Sequence, residues 1–476
     1  MENLIRDLNG LVWGIPMLTL LLGTGLFLTV GLRFISVTKL GYAFSELVRK
    51  RDNSKDGDVS PFGALMTALS STIGTGNIAG VAAAIAIGGP GAVFWMWMTA
   101  IVGTASKYSE GVLALKFREV DKDGRHVGGP MYYIKNGMGK KWIWLGGVFA
   151  TFGIFASWGT GASIQSNSIA DALNNTYGIP PLATGIVLAT GAAAVILGGV
   201  QRIASVASRL VPVMAISYIS AGLLVIALNI EAVPAAFGVI FRGAFGIDSA
   251  GTGISIGLLM LAMQKGVARG VFSNEAGQGS APIAHAAAKN DDPVNQGIVA
   301  MLGTIIDTLI VCTITALVIL TSGVIAQDCL PVAANVGDFF AAGQPDGCDT
   351  GAPLTVAAFD ATLTGVGQHI VSIGLAVFGF TTILGWSYYG ERCCEYLFGE
   401  GSVMPFRISW ILFTLGGAAA LMLEGEVSNI VNLLWLIADT FTGLMAAPNL
   451  IALIVLSPIV FKLTRDYFAS LKADDT

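Results

Sequence analysis

Long runs of apolar residues, separated by shorter polar segments, extend along the chain from end to end. A bilayer core of about 30 Å needs ~20 consecutive apolar residues in a helix. Runs of this length predict eleven membrane spans, at residues 11–32, 62–88, 91–115, 142–173, 182–200, 210–230, 254–288, 296–325, 365–390, 405–423 and 429–461. The last run is too long for one straight helix, so we expect Pro448 to bend it or to split it in two.

The composition agrees with this pattern. Hydrophobic residues make up 54% of the 476 positions and charged residues only 12%, whereas a soluble domain carries about 25% charged residues. The 61 glycines are typical of membrane helices whose backbones approach each other closely. The sequence therefore predicts an all-α integral membrane protein, and the low charge excludes a soluble surface.

The Lys and Arg residues predict the orientation, because cytoplasmic loops carry an excess of both. Of the 26 basic residues, 21 fall on one side of the predicted membrane, chiefly in segments 33–61 and 116–141 and in the tail. We therefore expect the N-terminus outside and the C-terminus in the cytoplasm. Since the basic residues are explained as topology signals, no nucleic-acid partner is expected.

The predicted outer loop at 326–364 agrees with this orientation. It contains no Lys or Arg, five Asp, and the cysteines Cys329 and Cys348. Disulfides form on the oxidising side of the membrane, so we favour a Cys329–Cys348 disulfide over two free cysteines.

Ten spans remain after the first, and they divide into two sets of five. The first set enters from the inner side and the second from the outer side, so the sets have opposite topology. Inverted repeats are typical of transporters that bind substrate near the midplane. The predicted organisation is an N-terminal helix with a basic linker (1–61), a first repeat (62–230), an outer connector (231–253), a second repeat (254–465, including the outer loop) and a cytoplasmic tail (466–476).

The first helix of each repeat is interrupted by glycines and polar residues. The first interruption contains Gly74, Gly76 and Gly80, and the second runs from Gly270 to Pro282. Unwound backbone at membrane depth is tolerated where it lines a cavity or is buried in protein. The half-helix after such a break offers N–H groups to a carboxylate, and the half-helix before it offers carbonyls to a small cation. The pattern predicts a site for a zwitterion and for Na⁺, whereas no His or Cys cluster favours a transition metal.

Several phrases in these segments resemble a known family. SSTIGTGNIAG, GGPMYYI, GVARGVFSNEAGQGSAPIAHAAA and GWSYYGERCCEYLFG are similar to the alanine/glycine:cation symporter family, and the first break is similar to that of LeuT-type amino acid transporters. The resemblance implies a LeuT-like 5+5 inverted repeat with one extra N-terminal helix. It also implies Na⁺- or sometimes H⁺-coupled uptake of alanine or glycine in a prokaryotic inner membrane, among membrane lipids. We expect a monomer that needs no organic cofactor.

The two breaks supply the candidate substrate contacts, together with polar or aromatic residues of other spans. The predicted substrate-binding residues are Thr75, Gly76, Asn77, Gln165, Phe272, Ser273, Asn274 and Trp386. For Asn77 a helix-capping role is nearly as good an explanation, and for Gln165 an interhelical hydrogen bond is equally good.

The candidate Na⁺ ligands lie just before the first break and on a later span. Ser70 and Ile73 would offer main-chain carbonyls, and Thr381 and Thr382 would add hydroxyls at the position where LeuT-type proteins complete their sodium site. Threonine in a membrane helix often bonds its own backbone instead, but the adjacent pair and the resemblance favour ligation.

Charged residues inside the predicted spans need partners. For Glu275 we favour an ion pair with Lys265 or Arg269 over a contact with a substrate amine or a proton-carrying role. Lys107 and Glu110 are three residues apart, and we expect them to pair or to extend toward the interface. Asp307 needs a partner that the sequence does not name.

Three other functions compete with sodium symport. A proton-coupled amino acid transporter would use Glu275 as its proton carrier. A channel would need a repeated filter loop, and an intramembrane enzyme would need a nucleophile–base pair or metal ligands. The sequence presents neither feature, so we expect a transporter and not an enzyme.

Overall fold

The structure is a computed structural model that describes residues 2–48, 56–247, 253–326, 329–332, 335–341, 347–423 and 426–474. Parts of the predicted basic linker, outer connector, outer loop and tail lie outside these residues. Helices up to the first connector are α1 Glu2–Val12, α2 Ile15–Gly31, α3 Ile35–Thr38, α4 Leu40–Val48, α5 Pro61–Thr72, α6 Val81–Gly88, α7 Ala92–Lys116, α8 Pro130–Tyr133, α9 Ile143–Ala156, α10 Ile164–Tyr177, α11 Pro181–Ile196, α12 Gly199–Leu228 and α13 Val233–Ala244.

The second half of the chain is equally helical. Its helices are α14 Ile256–Asn274, α15 Ala281–Ala286, α16 Pro293–Thr304, α17 Thr313–Thr321, α18 Val336–Ala341, α19 Gly351–Thr362, α20 Gly367–Phe398, α21 Val403–Ala419, α22 Glu426–Leu444 and α23 Ala446–Asp474. Short π-helical stretches, including Gly76–Gly80, Ser157–Ser163 and Ile305–Cys312, join several of them. In the described part of the chain, the strands are β1 Glu119–Val120 and β2 His126–Val127, an antiparallel hairpin.

Seven helical stretches of the described chain are long and apolar enough to cross a membrane, and a bent pair makes eight. Predicted spans 91–115, 182–200 and 254–288 fall outside this set, although each contains a helix. The reasons are local: α7 carries several charges, α11 has only 16 residues, and α14 is charged and ends at a break. The all-helical membrane fold is confirmed, whereas the count of eleven spans stays a prediction.

The long final run divides at a single residue. Met445 alone separates α22 from α23, so the interruption lies three positions before Pro448. Pro448 falls in the first turn of α23, where a missing N–H removes little intrahelical hydrogen bonding.

The first predicted break is present as a bend. Ser60 caps α5, because its hydroxyl accepts a hydrogen bond from the Gly63 N–H at 3.0 Å, and α5 ends at Thr72. The helix resumes at Gly76, and its two parts meet at an angle of 53°. The second break lies between α14, which ends at Asn274, and α15, which begins at Ala281.

Two continuous helices support the breaks. α7 packs against α14, α15 and α16, and α20 packs against α5, α10 and α12. Small residues permit this close packing: a Cβ on Gly103 would lie 2.8 Å from the Ala276 Cβ, and one on Gly111 would lie 2.7 Å from the Ala300 Cβ. Each broken helix therefore lies against a helix that is not broken.

The predicted outer loop is tied to the first broken helix. A disulfide joins Cys329 and Cys348, whose Cα atoms are 5.8 Å apart. Beyond it, the Thr355 hydroxyl of α19 donates to the Ile78 carbonyl at 3.1 Å. The loop thus folds onto the beginning of the half-helix that follows the first break.

Candidate functional site

The first break is held by neutral polar side chains. The Asn77 Oδ1 accepts a hydrogen bond from the Gly74 N–H at 2.9 Å, and the Gln165 Oε1 lies 3.5 Å from the Thr75 nitrogen. Asn77 therefore caps the break, which is the alternative role that the sequence suggested for it. Gln165 makes this long interhelical contact from α10, as one of its two suggested roles predicts, and its contact with substrate stays a prediction.

The glycines of the first break permit two close approaches. A Cβ on Gly74 would collide with the Thr382 hydroxyl of α20. A Cβ on Gly76 would lie 3.4 Å from the Phe272 Cδ1 and 3.6 Å from the Ser273 Cα, in ordinary contact. The backbones of the two broken helices therefore meet at Gly76, while Gly74 sets the distance to α20.

The second break is longer and is held by charged residues of α7. The Lys107 ammonium donates to the Asn274 carbonyl at 2.9 Å, at the negative end of α14. One turn further along α7, the Glu110 Oε1 accepts from the Gly279 N–H at 3.1 Å. Glu110 also accepts from the Asn449 amide at 2.6 Å, and that amide donates to the Gly277 carbonyl as well.

The backbone of the second break is left-handed at three positions. Glu275 has φ of 55°, and Gly277 and Gly279 both have φ of 84°. Glycine adopts this conformation without strain, but a residue with a Cβ does so at a cost of about 1–2 kcal/mol. In this backbone conformation the Glu275 carboxylate faces Ser280, whose hydroxyl lies 2.5 Å from the Oε2. The carboxylate also faces the Trp386 side chain.

A buried acid outside the cavity lining bonds residues of both broken helices. The Asp307 carboxylate accepts from the Asn77 amide at 2.7 Å and from the Ser273 hydroxyl at 2.8 Å. The neighbouring Thr308 hydroxyl accepts from the Asn274 amide at 3.1 Å. Asp307 is fully buried and lies in the π-helical stretch Ile305–Cys312. It therefore fixes the first broken helix relative to the second.

A small cavity lies between the breaks. It is lined by Ser71, Thr72, Gly74, Gly76, Thr160, Gln165, Phe272, Glu275, Gln278, Thr382, Trp386 and Thr442. About 10 Å³ of it is open to the centre of a water-sized sphere, which is roughly the room that one water needs. An amino acid would therefore fit only after lining side chains or helices move.

The candidate cation ligands lie at one side of this cavity. The Thr382 hydroxyl lies 3.5 Å from the Ile73 carbonyl oxygen and donates to the Phe378 carbonyl at 3.0 Å. The Thr381 hydroxyl donates to the Phe378 carbonyl at 2.9 Å and lies 3.5 Å from the Met214 sulfur. A Cβ on Gly385 would lie 2.7 Å from the Ser70 Oγ, so α20 approaches Ser70 closely. The structure thus brings the Thr382 hydroxyl near the Ile73 carbonyl, an oxygen pair of the kind that suits Na⁺. Both threonine hydroxyls also bond the backbone of their own helix, which is the alternative role for threonine in a membrane helix.

The predicted substrate residues separate into two groups. Gly76, Gln165, Phe272 and Trp386 line the cavity, and the Thr75 nitrogen faces Gln165. Asn77, Ser273 and Asn274 instead bond the Asp307–Thr308 pair behind the breaks. The sequence did not single out Ser71, Thr72, Thr160, Gln278 and Thr442 as lining residues; their polar character within apolar spans was the available signal.

Two pairing predictions are wrong. Glu275 makes no ion pair with Lys265 or Arg269 in the described structure, because its carboxylate turns toward Ser280 and Trp386, while the Arg269 guanidinium lies 5.8 Å from the Phe272 ring centre. Lys107 and Glu110 neither pair within 4 Å nor extend to the interface. They are 1% and 0% exposed and bond opposite ends of the second break.

Sequence comparison places the chain among known transporters. Residues 1–476 match the sodium:alanine symporter family. The sodium/alanine symporter AgcS of Methanococcus maripaludis is 49% identical over 468 residues, covering 98% of this chain and 97% of that protein. The putative sodium/proton-dependent alanine carrier protein YrbD of Bacillus subtilis is 39% identical, covering 98% of this chain and 92% of its own length.

Solved structures of other transporters share the fold. MhsT in complex with L-phenylalanine has a TM-score of 0.50 and 14% identity, covering 86% of this chain and 99% of its own. A manganese transporter of Eremococcus coleocola has a TM-score of 0.51 and 12% identity, and the match covers 83% of this chain and 80% of that transporter. These likenesses show the LeuT-like fold alone, and the inverted repeat stays a prediction.

Proposed function

Because the chain belongs to the sodium:alanine symporter family, as its motifs predict, we propose that it carries a small neutral amino acid, alanine or glycine, together with Na⁺. The chain is a transporter and not an enzyme. The observation that carries the proposal is the cavity between two facing helix breaks. The first break would offer backbone N–H groups to a carboxylate, and the Thr382 hydroxyl and the Ile73 carbonyl lie close together beside it.

The substrate carboxylate binds at the first break. Backbone N–H groups at Thr75 and Gly76 begin the half-helix that ends at Gly88, and the positive end of a helix favours an anion. Phe272 and Trp386 limit the space for a side chain, so small amino acids are favoured over large ones. Asn77, Ser273 and Asn274 support these contacts through Asp307 and Thr308 rather than by direct contact.

Na⁺ binds next to the carboxylate. The Ser70 and Ile73 carbonyls and the Thr381 and Thr382 hydroxyls supply neutral oxygen ligands. A site without a carboxylate of its own favours a monovalent cation that the substrate carboxylate helps to neutralise. This shared neutralisation couples the two ligands, since each lowers the cost of burying the other.

We also propose an oligomeric state, a membrane location and a transport cycle. The protein is a monomer in the prokaryotic inner membrane, with the N-terminus outside and the C-terminus in the cytoplasm, and it works by alternating access between inverted repeats. Lipid surrounds the apolar outer faces of its helices. The orientation is tested by labelling reduced intact cells with a membrane-impermeant thiol reagent. Modification of Cys329 and Cys348 supports it, and failure to label either cysteine after complete reduction contradicts it.

The function is tested by uptake of labelled alanine and glycine into proteoliposomes at constant pH. A Na⁺ gradient should drive accumulation, and replacement of Na⁺ by choline should abolish it. Accumulation driven by a proton gradient in the absence of Na⁺ would favour the proton-coupled alternative. No uptake of either amino acid under both gradients would refute the proposed substrate class.

A further inference from the structure

Two hydrogen-bond acceptors of the second break line the cavity. Glu275 and Gln278 are 2% and 1% exposed, and both border the space between the breaks. The Gln278 Nε2 donates to the Val271 carbonyl at 3.1 Å, but its Oε1 has no donor among the described residues. A buried polar atom without a partner costs about 1–3 kcal/mol, so a ligand that donates to this oxygen gains that amount.

The two sides of the cavity differ in hydrogen-bonding character. The first break lines the cavity with Gly74 and Gly76, next to the Thr75 nitrogen, whose N–H has a long 3.5 Å contact to the Gln165 Oε1. The second break lines it with Glu275 and Gln278. A zwitterion needs donors around its carboxylate and acceptors around its ammonium group. An α-amino acid could therefore lie across the cavity with its carboxylate at the first break and its ammonium group at the second.

Glu275 forms no ion pair within 4 Å with a cation of the described residues. Arg269 lies against the Phe272 ring, and the Lys107 ammonium donates to the Asn274 carbonyl. Ser280 and Trp386 are neutral partners. The Lys107 ammonium also attracts the Glu275 carboxylate, but it is already bonded to the Asn274 carbonyl. A carboxylate at membrane depth that no cation of the described residues contacts within 4 Å is costly, and a bound ammonium group offsets that cost.

We propose that Glu275 and Gln278 bind the ammonium group of the substrate, so that the second break recognises the amine while the first recognises the carboxylate. This inference rests on the proposed amino acid transport. It assigns specificity for an α-amino acid over an α-hydroxy acid to two residues on one unwound segment. The amine-binding pair is placed by α7, since Lys107 and Glu110 hold the two ends of that segment.

The first experiment uses the wild-type protein and needs no variant. Labelled L-alanine is bound to purified protein in saturating Na⁺ and displaced by unlabelled competitors. L-lactate has a hydroxyl where alanine has the ammonium group, and we expect it to compete at least ~100-fold more weakly than alanine. Displacement by L-lactate as strong as by alanine would overturn the proposal.

The second experiment replaces Glu275 by glutamine, which keeps the size and the bond to Ser280. Loss of a hydrogen bond to a charged group predicts that the alanine dissociation constant rises roughly 10- to 100-fold. L-lactate binding should change much less, so the preference for alanine falls at least about tenfold. Glu119→Gln removes the same charge in β1, away from the cavity, and serves as the matched control. If Glu275→Gln does not fold, Gln278→Met carries the test, with an expected rise of roughly threefold to tenfold.

Three results would overturn the ammonium assignment. The first is alanine affinity within about threefold of wild type in the folded Glu275→Gln protein. The second is an equal loss for alanine and lactate, which would indicate a structural role. The third is unchanged alanine binding with loss of proton-driven uptake, which would make Glu275 a proton carrier. If wild-type proteoliposomes accumulate no amino acid, the proposed function fails instead, and the two failures are thereby distinguished.

Discussion

The two helix breaks differ in length and in the kind of side chain that holds their backbone. The first is short, contains no charged residue, and is held by the amides of Asn77 and Gln165. The second spans residues 275–280, carries Glu275, and is held by the charges of Lys107 and Glu110. The contact at Gly76 joins them, and Asp307 bonds both from behind.

This difference separates two tasks. The partners of the first break are neutral: the Asn77 and Gln165 oxygens accept from the Gly74 and Thr75 nitrogens. An anion can therefore replace the 3.5 Å contact at Thr75 without breaking an ion pair. Charged partners fix the longer second break, whose left-handed backbone would otherwise relax. We therefore expect substitutions of the α7 residues that hold the second break to lower stability most, and substitutions in the first break to lower transport most.

The largest effect is expected from Lys107→Met. The substitution removes the donor to the Asn274 carbonyl and leaves Glu110 buried without a nearby cation. Breaking a buried charge arrangement costs about 3–5 kcal/mol, so the thermal unfolding midpoint in detergent should fall sharply. Lys116→Met, on the exposed end of the same helix, is the control, and an equal midpoint for both variants would contradict the role of Lys107.

Gly74→Ala should have the next largest effect, and it should act on transport. Its Cβ would enter the space of the Thr382 hydroxyl, and overpacking of this kind costs about 1–3 kcal/mol. We expect Na⁺-driven alanine uptake to fall about 10- to 100-fold at normal protein level. Gly80→Ala lies on the same broken helix, where a Cβ meets no atom within 4 Å. Similar uptake in the two variants would show that the approach of Gly74 to α20 does not matter.

Thr382→Val should have a smaller effect on maximal uptake but a clear effect on Na⁺ dependence. The change preserves shape and removes the hydroxyl near the Ile73 carbonyl. We expect the Na⁺ concentration for half-maximal uptake to rise roughly tenfold. Thr414→Val is the matched control, because that buried hydroxyl bonds the Trp410 carbonyl of its own helix. Unchanged Na⁺ dependence would remove Thr382 from the cation site.

The positions of the breaks were predictable because their signals are local. Glycines, hydroxyls and amides stand together at membrane depth in Ser70–Gly80, and a proline and glycines follow Asn274. Each helix loses stability at those residues whatever surrounds it. The same local reasoning placed Pro448 at the interruption of the last run, where the structure has Met445 instead.

The partners of the buried charges were not predictable, because they depend on packing between distant segments. Lys107 and Asn274 are 167 residues apart, and Asn77 and Asp307 are 230 apart. Nearness in the sequence suggested that Lys107 pairs with Glu110 and that Glu275 pairs with Lys265 or Arg269. In the structure α7 faces the second break instead, so its charges bond backbone groups of another segment.

In the proposed mechanism, both breaks bind parts of one substrate while Na⁺ binds beside it. The most direct measurement is the equilibrium dissociation constant of labelled alanine as Na⁺ replaces choline at constant ionic strength and pH. We expect this constant to fall by a factor of about 5–150, and alanine to tighten Na⁺ binding by the same factor. Alaninamide, which lacks the carboxylate, should not tighten Na⁺ binding. An alanine dissociation constant that is independent of Na⁺ would contradict the account.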